Sequence, residues 1–490
     1  MTDQRAIIDI GSNTVRLVIY GGPPRAPEVI YNEKVTAKLG RGVADSGSLG
    51  KKASAAALSA LGRYATILNL QGVTHVDAVA TAAVRDAANG EAFLAQVRAL
   101  GLKPRLLTGE EEAITAAYGV MAAFPGAKGL IGDLGGGSLE LTHIDGDSCT
   151  HGSSMPLGTL RLPKLRASGP AAFMGSIADQ LAAADWKGAQ AEPFYLVGGS
   201  WRALARYAAF RHGWPVDDPH GFVMTPAALL ELAEFLGQTK EKIACPGLSA
   251  SRAASLPDAS ALLAVLVRKL SPTKLVFSSW GLREGLIYRQ LGNAARAQDP
   301  LLSGVTAFAR QQGITPTVAA TIADWTASVS GTSDAHRERL RLAATALALA
   351  SMRIEPNLRG NLALDWGLRK RWIGIDDAGR AMLTMAILAN GGRSAIPAEL
   401  TRLTSAETLH EAIVWGFATR LCRRFSGTTA KALAHSTLRA ESGRLVFAVE
   451  PAMHALCTEP VEKDLRLLAG ALGLVPDLQL LPTTTETPAL

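Results

Sequence analysis

Two glycine-centred turns constrain the fold of this chain more than any other feature of its sequence. The first turn, Gly11–Thr14, follows an apolar run that carries Asp9, and the second, Gly135–Ser138, follows an apolar run that carries Asp133. A further apolar run leaves each turn. An apolar segment, a short glycine-rich turn and another apolar segment are typical of a β-hairpin. Each turn is therefore predicted to join two strands, with an aspartate near the end of the incoming strand.

The composition of the two turns favours phosphate binding. Glycine lets backbone N–H groups point together into a concavity that binds anionic oxygens, and Ser and Thr hydroxyls add further donors. Glu140 follows Asp133 at a spacing that can place the two carboxylates side by side across the hairpin. Such a pair suits Mg²⁺, which takes one or two carboxylates together with water and substrate oxygens. The structural alternative is that Asp9 and Asp133 only satisfy amides of their own turns.

Glu112 is a candidate for activating a water molecule, and Arg85 is a candidate for binding phosphate. Glu112 ends a run of three glutamates that opens a predicted helix, where a carboxylate could orient and deprotonate an attacking water. Acidic residues in a first helical turn are also stabilised by the helix dipole, so they do not require a catalytic role. Arg85 could bind a phosphate bidentately or form an ion pair with Asp86. Arg16, which follows the first turn, could likewise bind phosphate or pair with an acidic residue.

The pattern of strand and helix signals divides the chain into four segments. Residues 1–125 and 126–298 each begin with a glycine-turn hairpin and continue with mixed strand and helix signals. This predicts two duplicated α/β domains with a ligand cleft between them. Residues 299–479 are rich in Ala, Leu and Arg at helical spacing and are predicted to be all-helical. Residues 480–490 are predicted to be a flexible tail.

Composition narrows the class of protein. Hydrophobic residues make up 48% of the chain and charged residues 19%, so the chain has enough apolar side chains to form hydrophobic cores. Its net charge of +7 favours an anionic partner. The four cysteines have no paired spacing, which favours a reducing compartment. No signal segment precedes the first strand, and no apolar stretch is expected to reach the roughly 20 residues of a membrane span. A cytoplasmic protein that does not enter the membrane is therefore expected.

Two common nucleotide-binding motifs are missing from the sequence. It holds neither a P-loop nor a dinucleotide-binding fingerprint. Nucleic-acid binding is not expected either, because the basic C-terminal half lacks a base-stacking aromatic pattern.

Six motifs follow one another along the chain: Asp9–Thr14, Thr81–Arg85, Gly109–Ala113, Asp133–Glu140, Gly198–Ser200 and Gly281–Gly285. These motifs and their order resemble the exopolyphosphatase/guanosine pentaphosphate phosphohydrolase family. The resemblance implies the actin/sugar-kinase/Hsp70 (ribonuclease H-like) α/β fold, with two duplicated domains around an interdomain cleft. By position it also implies that Glu112 activates water and that Asp133, Glu140 and Asp9 lie around Mg²⁺. The implied phosphate-binding residues are Gly11, Ser12, Asn13, Thr14, Arg85, Gly135, Gly136, Gly137 and Ser138.

The activity that the resemblance implies is that of an exopolyphosphatase, which removes the terminal phosphate of inorganic polyphosphate with Mg²⁺. A 5′-phosphatase acting on guanosine pentaphosphate would use the same atoms, so that alternative stays open. A polyphosphate- or nucleotide-binding regulator without turnover is a further alternative. The presence of Glu112, Asp133 and Glu140 together argues against such a regulator.

Long members of this family carry a third, helical domain that resembles HD phosphohydrolases. In this chain the corresponding residues 342–352 contain no His-Asp pair, so the expected domain is HD-like but lacks that metal centre. It could extend the path of a polyanion or hold a homodimer together. Candidate contacts, which could equally be solvated helix faces, are Arg369, Lys370, Arg371, Arg420, Arg423 and Arg424.

Overall fold

The computed structural model describes residues 4–150, 152–184, 186, 191–239 and 241–482. Its internal contacts divide the chain into two compact units, Met1–Pro300 and Leu301–Leu490.

The first sheet of unit 1 has five strands in the order β3-β2-β1-β4-β5. The three strands of the N-terminal meander are antiparallel, and β4 and β5 add to β1 in parallel. The strands are β1 (Arg5–Ile10), β2 (Val15–Gly21), β3 (Glu28–Val35), β4 (His75–Ala80) and β5 (Pro104–Leu106). The helices are α1 (Leu39–Ser46), α2 (Lys51–Leu70), α3 (Ala82–Arg85), α4 (Gly90–Ala99) and α5 (Gly109–Ala123).

The second sheet repeats this arrangement. Its order is β11-β12-β10-β6-β7-β8, with β9 also paired to β7. Strands β6 and β7 form the second glycine-turn hairpin, and β10 and β12 continue the sheet in parallel. The strands are β6 (Lys128–Leu134), β7 (Leu139–Asp145), β8 (Ser148–Cys149), β9 (Ser153–Met155), β10 (Phe194–Val197), β11 (Val223–Met224) and β12 (Leu275–Phe277). The helices are α6 (Leu162–Ala167), α7 (Pro170–Ala183), α8 (Gly199–Arg211), α9 (Pro226–Gln238), α10 (Ala250–Leu270), α11 (Leu282–Arg289) and α12 (Asn293–Arg296).

Helices α5 and α11 cross between the two sheets. Helix α5 follows the first sheet in sequence but packs on the second, and α11 ends the second half but packs Leu286 and Ile287 on the first sheet. The crossing depends on glycine, because a Cβ atom on Gly285 would lie 1.8 Å from the carbonyl oxygen of Thr115. This close backbone contact fixes the start of α5 relative to the start of α11.

Unit 2 is mainly helical and contains a small sheet. The prediction of an all-helical domain was wrong on this point, because β13 (Ser436–Glu441), β14 (Arg444–Val449) and β15 (Val475–Leu480) form a three-stranded sheet. Each strand is short and lies within Ala- and Leu-rich surroundings, so its signal is weak. The helices are α13 (Pro300–Gln311), α14 (Pro316–Ser330), α15 (Ala335–Ala350), α16 (Arg359–Ala363), α17 (Asp377–Asn390), α18 (Ala398–Thr401), α19 (Ala406–Ser426), α20 (Ala430–Ala434) and α21 (Glu459–Leu472).

Three further helical segments of unit 2 are not α-helical. Ser351–Arg353 and Pro451–Leu456 are 3₁₀ turns, and Leu364–Arg369 is π-helical. The predicted tail also differs at its start, because Leu480 ends β15 and the Leu481 amide donates to the Val449 carbonyl. Residues 483–490 of that predicted tail lie outside the described residues.

One described helix, α10, is long and apolar enough to meet the criteria for a membrane span, so the expectation that no stretch reaches this length was wrong. In this structure 56% of its apolar window is buried inside the protein. A core helix of a soluble domain passes the same test, and α10 contributes Leu262, Leu263 and Leu266 to the core under the second sheet.

Candidate active site

A cavity of about 170 Å³ lies where the two hairpin turns meet. The two turns, the ends of β1 and β6, and the starts of α5, α8 and α11 all contribute to its wall. Every residue with a predicted site role lines it except Arg85: Asp9, Gly11, Ser12, Asn13, Thr14, Glu112, Asp133, Gly135, Gly136, Gly137, Ser138 and Glu140.

The two turns have matching geometry and touch each other. The Gly11 amide donates to the Thr14 carbonyl at 3.0 Å, and the Gly135 amide donates to the Ser138 carbonyl at the same distance. A Cβ atom on Gly137 would lie 2.7 Å from the Ser12 hydroxyl oxygen. Glycine is therefore needed for the close approach of the turns, and backbone groups of both turns line one cavity.

The hairpin register pairs the two predicted metal carboxylates. Asp133 lies directly opposite Glu140 in the antiparallel β6–β7 pair, and Asp9 lies opposite Arg16 at the equivalent position of β1–β2. The Ser154 hydroxyl donates to Glu140 Oε1 at 2.8 Å. The duplicated register thus places a carboxylate pair at one turn and a carboxylate–guanidinium pair at the other.

Burial disfavours the fully ionised form of this carboxylate pair. Desolvation raises the pKa of Asp133 to about 6, against the opposing effect of Arg202. Burial and then the neighbouring charges of Glu112 and Asp133 raise the pKa of Glu140 well above its ordinary value. Asp9 also has a raised pKa, first because it is buried. A cation or a shared proton would relieve the repulsion among these carboxylates.

Glu112 is distinct from its two acidic neighbours. Thr108 and Glu111 form a capping box at the start of α5, and Glu111 also pairs with Arg105, so its role is structural. Glu112 is only 8% exposed and lines the cavity. Burial raises its pKa to about 7, Arg85 opposes this rise, and Asp133 adds to it. A carboxylate with such a raised pKa can accept a proton near neutral pH.

Arg85 is hydrogen-bonded to Glu112. Its Nη1 donates to Glu112 Oε2 and to the Leu107 carbonyl, each at 3.1 Å, and its Nε lies 3.5 Å from Asp86. It is not among the described residues that line the cavity. The structure thus brings Arg85 to the predicted base, and the pairing with Asp86 that the sequence left open is also formed.

Four arginines line the cavity together with this acidic cluster. They are Arg16, Arg202, Arg252 and Arg283. Mutual repulsion is part of the reason that the pKa of Arg202 is lowered to about 10, after the larger effect of burial. Lys34 has a pKa lowered first by burial and then by Arg16, Arg252 and Arg202, so positive charge continues toward β3.

Sequence reasoning named only Arg16 of these four. Arg202 and Arg283 sit in or beside the motifs Gly198–Ser200 and Gly281–Gly285, which could have suggested them. Arg252 lies on α10, where its Nη1 donates to the Ser200 hydroxyl at 3.1 Å. No local pattern marks Arg252, since tertiary packing alone brings α10 to the cavity.

The carboxylates provide a donor set that fits Mg²⁺. Among the described residues no group of three or more His, Cys, Asp or Glu side chains encloses a metal position. Mg²⁺ does not require such an enclosure, because it usually keeps several waters and takes one or two carboxylates beside substrate oxygens. Asp133 and the buried Glu140, paired across the hairpin, meet that requirement in number and chemistry.

The repeated sheets around one shared cavity define an actin-like α/β protein. Residues 18–294, more than half of the chain, match the model of the Ppx/GppA phosphatase family. Exopolyphosphatase 1 of Mycobacterium tuberculosis (strain H37Rv) is 29% identical over 310 residues, which cover 59% of this chain and 88% of that protein. Retrograde regulation protein 2 of Saccharomyces cerevisiae is 28% identical over 349 residues, which cover 60% of this chain and 57% of that protein.

Solved structures agree with this fold. A PPX-GPPA enzyme of Aquifex aeolicus is 25% identical with a TM-score of 0.50, covering 59% of this chain and 100% of that one. An exopolyphosphatase of Cytophaga hutchinsonii is 24% identical with a TM-score of 0.52, covering 58% of this chain and 96% of that one. The chain belongs to the Ppx/GppA phosphatase family.

Proposed function

We propose that this protein is an exopolyphosphatase that hydrolyses the terminal phosphoanhydride bond of inorganic polyphosphate. One observation carries the proposal: a buried carboxylate, Glu112, shares a cavity with two glycine turns and a carboxylate pair. A base, an oxyanion cradle and a cation-binding pair are the components that phosphoryl transfer to water needs.

The reaction assigns a separate task to each part of the cavity. The turn amides and hydroxyls hold the oxygens of the terminal phosphoryl group, and Glu112 accepts a proton as the water oxygen forms its bond to phosphorus. The bridging P–O bond breaks, and its electron pair leaves with the shortened chain. Arg85 keeps the Glu112 carboxylate in place through its 3.1 Å hydrogen bond, so the base need not reorient.

Asp133 and Glu140, with Asp9 nearby, are the residues that would hold Mg²⁺. When bound, the ion neutralises charge on the phosphoryl oxygens. The protein's own contribution is to pair Asp133 with the buried Glu140, which also accepts a hydrogen bond from Ser154.

The arginines that line the cavity favour the polymer as substrate. Arg16, Arg202, Arg252 and Arg283 offer guanidinium groups, each of which can bind a phosphate bidentately. The net charge of +7 and the name of the mycobacterial relative support the same choice. Guanosine pentaphosphate also ends in a phosphoanhydride, and the yeast relative carries the name of a regulator. The experiment that tests the proposal therefore also distinguishes a guanosine pentaphosphate phosphatase and a regulator without turnover.

The test measures phosphate release by the wild-type chain with Mg²⁺ in ¹⁸O-labelled water. Long-chain polyphosphate should be hydrolysed with one labelled oxygen in each released phosphate, because water attacks the terminal phosphorus. Faster release from guanosine pentaphosphate at equal concentrations of chain ends would assign the site to the nucleotide. Binding of polyphosphate without release of phosphate would instead support a regulator.

A further inference from the structure

The partly exposed carboxylate of Asp86 bridges two arginines beside the cavity. Asp86 directly follows α3, and neither it nor the two arginines is among the described residues that line the cavity. Its Oδ1 lies 3.5 Å from Arg85 Nε, and its Oδ2 lies 3.6 Å from Arg161 Nη2. Because the two oxygens have different partners, this single carboxylate connects the first half of unit 1 with the second half.

Each of these arginines is also hydrogen-bonded to a part of the proposed active site. Arg85 Nη1 donates to Glu112 Oε2 at 3.1 Å. Arg161 Nε donates at 3.1 Å to the backbone carbonyl of Gly137, in the second glycine turn. A continuous series of polar contacts therefore runs from this turn through Arg161, Asp86 and Arg85 to the proposed base.

Residues 158–161 hold the backbone of the second turn. The three glycine carbonyls of that turn accept hydrogen bonds, 2.9 to 3.3 Å long, from the amides of Gly158, Thr159 and Leu160. A Cβ atom on Gly158 would lie 2.2 Å from the carbonyl carbon of Gly137, so the two backbones are in direct contact. The position of residues 158–161 therefore sets the orientation of the turn's peptide groups, and Arg161 links these residues to Asp86.

The value of this arrangement lies in geometry more than in stability. The Asp86 side chain is 39% exposed, and ion pairs that are open to solvent contribute little to the free energy of unfolding. A planar guanidinium held at two points has little freedom to rotate, and both arginines are held in this way. A displacement of about 1 Å between reacting groups can cost about 100-fold in rate, so small losses of alignment are visible in turnover.

We propose that Asp86 is a positioning residue for the hydrolysis. Through Arg85 it fixes the Glu112 carboxylate, and through Arg161 it fixes the second glycine turn. The base and the phosphate-binding turn then keep one relative position while the substrate is bound. This inference rests on the proposed function, and it assigns a role in that function to a carboxylate outside the cavity.

The substitution D86N tests this role, because it removes the charge and keeps the size of the side chain. The kcat of phosphate release from polyphosphate should fall about 3- to 10-fold, and KM should rise, since two ion pairs are weakened. D86E restores the carboxylate and should recover part of kcat. R161Q should raise KM more than it lowers kcat, because the contacts of Arg85 remain.

Combining D86N with E112Q separates positioning from a purely structural role. If Asp86 acts on kcat through the Glu112 carboxylate, D86N should lower the residual kcat of E112Q less than twofold. The rise in KM should persist in E112Q, because the turn is still released. A fall in kcat by the same factor in both backgrounds would overturn the proposal.

The matched control is D145N. Asp145 pairs with Lys128 at the end of the β6–β7 hairpin that lies away from the turn, so D145N changes the net charge of unit 1 equally. It should leave kcat and KM at wild-type values. Equal changes in D86N and D145N would indicate an effect of net charge alone and would refute the positioning role, as would wild-type kcat and KM in D86N.

Hydrogen–deuterium exchange tests the link to the turn without turnover. Exchange of residues 158–161 is measured in the full chain without substrate or divalent metal. D86N and R161Q should increase it, because both release Arg161, and D145N should not. A wild-type chain that releases no phosphate would refute the proposed hydrolysis. Unchanged exchange in D86N and R161Q would instead refute the link between Asp86 and the turn, whether or not the chain is a hydrolase.

Discussion

The substitution Glu112→Gln removes the proposed base and keeps its shape. The glutamine side-chain oxygen can still accept the hydrogen bond from Arg85 Nη1, which is 3.1 Å long in the wild type. The change also removes a negative charge that repels Glu140 and Asp133. The variant should therefore fold at least as stably as the wild type and should still bind polyphosphate.

The expected loss of turnover follows from general base catalysis. Removing a positioned base costs about 10²- to 10⁴-fold in rate, equivalent to about 3–5 kcal/mol in the activation barrier. Because burial raises the pKa of Glu112 to about 7, the wild-type kcat/KM should fall about tenfold for each pH unit below that value. E112Q should have a shallower acidic limb, because only Asp133 and Glu140 still take up protons there, so the difference between the two proteins narrows as pH falls.

The assay is steady-state phosphate release from polyphosphate between pH 5 and pH 9, with polymer affinity measured separately. Glu111→Gln is the matched control, since Glu111 occupies the same helical turn and a glutamine can preserve the capping box. E111Q should keep wild-type turnover. The reasoning is refuted if E112Q retains turnover within a few-fold of wild type, or if E111Q loses as much activity as E112Q.

Three further predictions concern stability and metal binding. Burial raises the pKa of Glu112 from 4.5 to about 7, so its stabilising effect is complete below pH 4.5 and is lost as pH rises through 7. In metal-free protein the free energy of unfolding should fall by on the order of 3 kcal/mol across that window, and urea denaturation of E112Q should lack this part of the slope. Mg²⁺ should raise the thermal midpoint more at pH 8 than at pH 5, and Glu140→Gln should reduce the shift; equal shifts in both proteins would exclude Glu140 as a ligand. Gly285→Ala should destabilise unit 1 by about 1–3 kcal/mol or more because its Cβ meets a backbone oxygen. Gly175→Ala on α7, with no atom within 4 Å, should stabilise it by about 0.5–1 kcal/mol, and similar denaturation midpoints for the two variants would contradict the crossing geometry.

The local chemistry of the site could be predicted because strand geometry fixes it. Once a hairpin turn is recognised, the alternation of an antiparallel pair places Asp133 opposite Glu140, and the structure has this register. The repeat of the hairpin likewise predicted a cavity shared by two turns. The roles of these residues in binding and catalysis stay predictions.

The remaining features depend on contacts between segments distant in the sequence. Arg252 reaches the cavity only because α10 packs under the second sheet, and Arg85 meets Glu112 only once α3 and α5 are in place. The strand β14 carries a short apolar run, but partners on either side are needed to stabilise it. Local sequence patterns do not encode such partners.

The most direct test of the central claim is phosphate release by the purified wild-type chain from long-chain polyphosphate with Mg²⁺. Guanosine pentaphosphate at the same concentration of terminal phosphates serves as the comparison. We expect rapid release from the polymer, slower release from the nucleotide and none when the metal is chelated. Absence of release from both substrates, with the chain folded and Mg²⁺ present, would contradict the assignment of this cavity as a hydrolytic site.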